Sequence, residues 1–172
     1  DKELLEKYHE DLIICSACIG GEIPQHILNG RMDKAEESVL WFKNLFGEDY
    51  YLEIQRHETH DPNAAQDVYP HQVTANKAIL ELARTHNIKV IATNDVHFVN
   101  AEDAEAHDRL ICLSTGKDLD DPNRMRYTKQ EWMKTTAEMN TIFSDIPEAL
   151  SNTLEIADKV EFYSIDHGPI MP

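Results

Sequence analysis

Apolar positions along the chain switch repeatedly between helical and extended spacing. Leu4, Leu5 and Tyr8 lie at helical intervals, and a short run, Leu12-Ile13-Ile14, then leads into Cys15-Ser16-Ala17-Cys18 and Gly20-Gly21. This order predicts a helix that opens in mid-pattern without a capping residue, then a strand, then a turn. Asp33 and Glu36 form a capping-box pattern; Ala35, Val39, Phe42 and Phe46 share the following helical face, and Gly47 ends it. Tyr50 to Gln55 is aromatic and β-branched and reads as a second strand. Beyond a polar loop around Asp61-Pro62-Asn63, the positions Ala75, Ile79, Leu82, Ala83 and His86 mark another helix. Ile88 to Thr93 is nearly all apolar, as in a strand covered on both sides. Asn100 is placed to cap a helix carrying Ala104 and Ile111 and stopping at Gly116, and Asp118 to Arg126 reads as a polar loop. Asp145 with Glu148 repeats the capping-box pattern, with Pro147 in the first turn and Leu150, Leu154 and Ala157 behind it. The tail, Ser164 to Pro172, contains one glycine and two prolines and reads as a linker.

Strands alternating with helices imply a parallel sheet with crossover connections. Three strands do not close a barrel. Together with the uncapped start, they suggest an α/β segment cut from a larger fold.

Composition narrows the function classes. The 172 residues are 41% hydrophobic and 28% charged, an ordinary globular balance. No apolar run approaches the roughly 20 residues of a membrane span, and no signal-peptide pattern opens the chain. The expectation is a cytoplasmic protein without membrane contact, and three cysteines, an odd number, suit a reducing compartment. The net charge of -16, from 32 acidic and 16 basic residues, repels phosphate backbones, so this segment alone is not expected to bind DNA. Carboxylates that gather cations can reverse that repulsion locally.

Reactive groups in α/β folds collect at the C-terminal ends of strands. Three constellations occupy such ends: Cys18; Glu53, Gln55 and His57; and Asn94-Asp95-Val96-His97. Asp95 and His97 are two apart, so in extended backbone both side chains reach one face, where a carboxylate and an imidazole suit zinc or manganese. The plain alternative is a polar strand end. Glu53, Gln55 and His57 share a face by the same period and read either as partners orienting metal ligands or as a polar network at the sheet mouth. Cys15 and Cys18 form a C-x-x-C, compatible with a redox pair, with core packing, or with a lone thiolate ligand at Cys18; residues three apart on a strand face opposite ways, so Cys15 is expected in the core. His60, His71, His86 and His107 fall at scattered helix or loop positions, and His86, at a helix end, reads as structural.

The segments CSACIGGEIPQ (15–25), YYLEIQRH (50–57), IATNDVHFVNAEDAEAHD (91–108), STGKDLDDPNRMRY (114–127), IPEALSNTLEIADKV (146–160) and YSIDHGPIMP (163–172) resemble the PHP (polymerase and histidinol phosphatase) domains of bacterial polymerase III α subunits, with a loop after His57 of Bacteroides type. The resemblance covers nearly the whole chain in order. It implies part of a distorted seven-stranded (βα) PHP barrel, truncated on its N-terminal side, with residues 1–162 in the C-terminal portion of that domain and 163–172 leading toward a polymerase core. It implies a rim cluster of zinc or manganese, with Cys18, Asp95 and His97 as ligands and Ala17 where glycine is common in the family. The family's His-x-His pair has no counterpart in this sequence, so the cluster is expected to be incomplete and the segment inactive alone. For the parent protein the resemblance implies DNA-directed DNA polymerase activity with magnesium, acting on DNA and dNTPs beside other replicase subunits. For the PHP domain it implies metal-dependent phosphoester hydrolysis, similar to 3′–5′ exonucleases. A non-catalytic scaffold and a free-standing PHP phosphatase stay open as alternatives.

Overall fold

Tyr50, Tyr51, Leu52 and Ile54 are at most 2% exposed, so the strand that carries them is covered on both faces. The computed structural model describes residues 1–169. Its three short strands, β1 (Ile14–Cys15), β2 (Tyr50–Ile54) and β3 (Val90–Ala92), form a parallel sheet in the order β1-β2-β3. Ile14 pairs with Tyr50 and Leu52 with Val90. Around the sheet lie α1 (Lys2–Lys7), α2 (Glu22–Leu28), α3 (Met32–Phe46), α4 (Val68–His86), α5 (Ala104–Thr115), α6 (Thr136–Ile142) and α7 (Pro147–Lys159). One core unites Ile23 and Ile27 of α2, Val39 of α3, Ile79 of α4 and the β2 residues with Phe143, Ile146 and Ala149 beside α7. The α/β class and the parallel order thus match the sequence expectation.

Several ends differ from it. Helix α1 does have a cap: the Asp1 carboxylate accepts from the Leu4 N–H at 3.0 Å. Neither Asp33 nor Asp145 caps its helix. Arg31 is the residue before α3, which places Asp33 inside the first turn, and Ile146 precedes α7 while Asp145 is held by Arg56 instead. A capping box does form at Thr135 and Glu138, ahead of the unforeseen α6. Helix α2 was also unforeseen, and Gly21 opens it because a Cβ there would lie 2.5 Å from the Ser16 carbonyl oxygen. Cys15 is exposed rather than in the core, because β1 packs chiefly against β2 without a helix over it such as α7 provides for β3; Cys112 is the buried cysteine. Expectations for residues 170–172 of the linker lie outside the described residues; 163–169 carry no regular structure and are exposed.

Candidate functional site

Parallel strands deliver their following loops to one edge of the sheet. Cys18 lies on the loop after β1, Glu53 to His57 at the end of β2 and just beyond, and Asp95 and His97 on the loop after β3. Cys18, Glu53 and Gln55 line one narrow cleft together with Gln72 and Asn76 of α4. Within it the Gln55 amide donates to Glu53 Oε1 and to Thr93 Oγ1, each at 3.0 Å, and the Thr93 hydroxyl donates to Glu53. Ser16 Oγ accepts from the Glu53 N–H at 2.8 Å, so polar groups tie the ends of all three strands together.

His57 is 2% exposed and satisfied at both ring nitrogens. Its Nε2–H donates to the Asn94 carbonyl at 3.1 Å, while Nδ1 accepts from the Gln72 amide at 3.0 Å. Acceptance at Nδ1 requires the neutral ring, and burial holds its pKa below the ordinary value of 6.5 despite the Glu131 carboxylate nearby. With no lone pair to spare, His57 positions the backbone just before Asp95.

That backbone is gripped from the other side by residues 127–133. The Asn94 amide donates to the carbonyls of Gln130 at 2.9 Å and Trp132 at 2.7 Å. The His97 N–H donates to the Glu131 carbonyl at 2.7 Å, and the Met133 N–H to the Phe98 carbonyl at 3.1 Å. Asp95 sits between these grips at φ 46°, a left-handed conformation that a non-glycine residue holds only when its surroundings impose it. The His97 Nδ1–H donates to the Asp95 carbonyl at 2.6 Å, which leaves the lone pair on Nε2, and that nitrogen accepts from the Tyr127 hydroxyl at 3.2 Å. His107 completes the group, its ring 5.6 Å from that of His97 and 5.0 Å from that of Tyr127.

Residues 1–57 match the PHP domain family. DNA polymerase III subunit alpha of Borreliella burgdorferi is 44% identical over 174 residues, covering 100% of this chain. The subunit alpha of Campylobacter jejuni is 41% identical over 200 residues, again across 100% of the chain. The Thermus aquaticus subunit alpha is 37% identical over 161 residues. The chain is homologous over its whole length to DNA polymerase III subunit alpha. It spans only 14% of the length of the Borreliella relative and 16% of the Campylobacter one.

The donors at the loop after β3 fit a divalent cation in part. His97 presents a neutral imidazole already locked by a carbonyl at its other nitrogen, the arrangement common to metal-bound histidines, and the Asp95 side chain is 37% exposed. Among the described residues no three His, Cys, Asp or Glu side chains gather to hold an ion. Burial first, then the charges of Asp95 and Glu131, push the pKa of the Tyr127 phenol up. Cys15 also departs from an activated thiol, being pushed up to about 11 by partial desolvation and the Glu53 charge, which argues against redox use of C-x-x-C.

Tyr127, Glu131, His107 and Gln72 belong to the site but were not singled out from sequence. Residues 127–133 have no apolar period because their partners are the distant backbone of 94–98. The Glu131 side chain is 3% exposed; its Oε1 accepts from the N–H and hydroxyl of Thr128, while Oε2 lacks a hydrogen-bond partner among the described residues. His107 reads as scattered in the sequence, yet its ring meets that of His97 across the turn that starts α5.

Proposed function

We propose that residues 1–162 belong to the PHP domain of a bacterial replicative polymerase III α subunit and that 163–172 lead toward the polymerase core. The observation that carries this reading is homology along the whole chain, with Asp95-x-His97 placed at the carboxyl edge of the sheet. The full-length protein is then a DNA-directed DNA polymerase, cytoplasmic, using magnesium in its polymerase site and acting on DNA and dNTPs with other replicase subunits. Asp95, His97 and Cys18 contribute to a site for zinc or manganese that further ligands from the longer protein complete. Bound cations there supply an acidified water and offset the charge of a phosphodiester, the chemistry of metal-assisted hydrolysis. Glu53, Gln55 and His57 orient the edge: Glu53 Oε1 and the Gln55 amide are bonded to each other and to Thr93, and both His57 ring nitrogens are taken by Asn94 and Gln72.

A labelled primer–template incubated with manganese tests this. The full-length protein is expected to shorten the primer and its Asp95→Asn form to lose at least tenfold in rate, while the 172-residue chain alone does neither polymerisation nor hydrolysis. Undiminished hydrolysis in full-length Asp95→Asn, with no other nuclease present, would leave a scaffold role for this domain.

A further inference from the structure

We propose that the Tyr127 hydroxyl caps Nε2 of His97 and thereby sets how readily that nitrogen takes a divalent cation. This rests on the reading that the loop after β3 binds such a cation. The Asp95 carbonyl accepts only, so the proton of neutral His97 is at Nδ1 and Nε2 carries the sole lone pair of the ring. The Tyr127 O–H points at that lone pair from 3.2 Å. A cation approaching Nε2 therefore competes with an existing hydrogen bond. A tyrosine phenol is an O–H donor at neutral pH, its ordinary pKa being about 10. Ring packing keeps the cap in place: Tyr127 lies 4.6 Å from His97 and 5.0 Å from His107, centroid to centroid. The His97 side chain is 32% exposed, so an ion can reach it without opening the core.

Tyr127→Phe keeps the ring and deletes only the hydroxyl. In the full-length protein, competition against a fluorescent zinc chelator is expected to show zinc bound about three- to tenfold more tightly by Tyr127→Phe than by wild type, the worth of one released hydrogen bond. The gain should vanish when His97 is also replaced by Ala. Should Tyr127→Phe fail to fold, 3-fluorotyrosine at position 127, a stronger donor of nearly the same size, is expected to weaken zinc binding. Unchanged or weaker binding by a folded Tyr127→Phe, with His97→Ala weaker than wild type, would overturn the cap while leaving the metal reading intact. Equal zinc affinity in wild type and His97→Ala would remove the metal reading and the cap with it.

Discussion

His57 shows how one buried ring links stability to pH. Folded, it refuses a proton that the unfolded chain takes up near the ordinary value of 6.5, because burial disfavours the charged ring. In the window from 6.5 down to the depressed value, the unfolded state binds more protons, so stability rises with pH there. The contribution is complete above 6.5 and is lost as pH falls below it. His57→Ala is expected to cost about 2–4 kcal/mol, by opening a cavity and leaving the Asn94 carbonyl and the Gln72 amide without partners. It should also flatten the slope of stability against pH. Urea unfolding of both proteins between about pH 5 and 7.5 checks both effects; an unchanged slope would mean that His57 already carries its proton when folded.

Elements here are positioned by a few polar clamps as much as by the core. Arg124 and Asp108 make a bidentate pair at 2.6 and 2.7 Å, with side chains 5% and 12% exposed, and tie the loop after α5 back onto that helix. Asp108→Ala strands a buried guanidinium and is expected to destabilise by about 3–5 kcal/mol. Lys34→Ala, which breaks only the exposed pair with Glu37, should leave the unfolding temperature nearly unchanged; thermal unfolding separates the two, and equal losses would contradict the burial argument. The same contrast explains what was readable in sequence. Strand β2, the face of α3 and the glycine stops after α3 and α5 follow local periodicity, and the sequence pattern anticipates them. Asp145 resembles a helix cap in sequence yet serves as the partner of Arg56, 89 positions away, at 2.7 and 2.8 Å. Of the site, Asp95 and His97 are legible as residues, but the extended spacing expected of them does not hold, because β3 ends at Ala92 and Asp95 turns left-handed at φ 46° under the grip of residues 127–133; Tyr127 and Glu131 owe their place to tertiary hydrogen bonds that leave no periodic signal.

At the scale of the whole molecule, a parallel sheet gathers Cys18, Glu53, Asp95 and His97 on one edge of a chain whose net charge is -16. An acidic surface of that kind approaches phosphate poorly unless cations intervene, which makes metal occupancy decisive for any action on nucleic acid. The most direct measurement is the metal content of the full-length protein by plasma emission spectrometry, after exhaustive dialysis, for wild type and His97→Ala. Zinc or manganese retained by the wild type should fall by about one ion per molecule in the variant, with circular dichroism unchanged. Equal metal content in the two proteins would contradict ligation by the loop after β3.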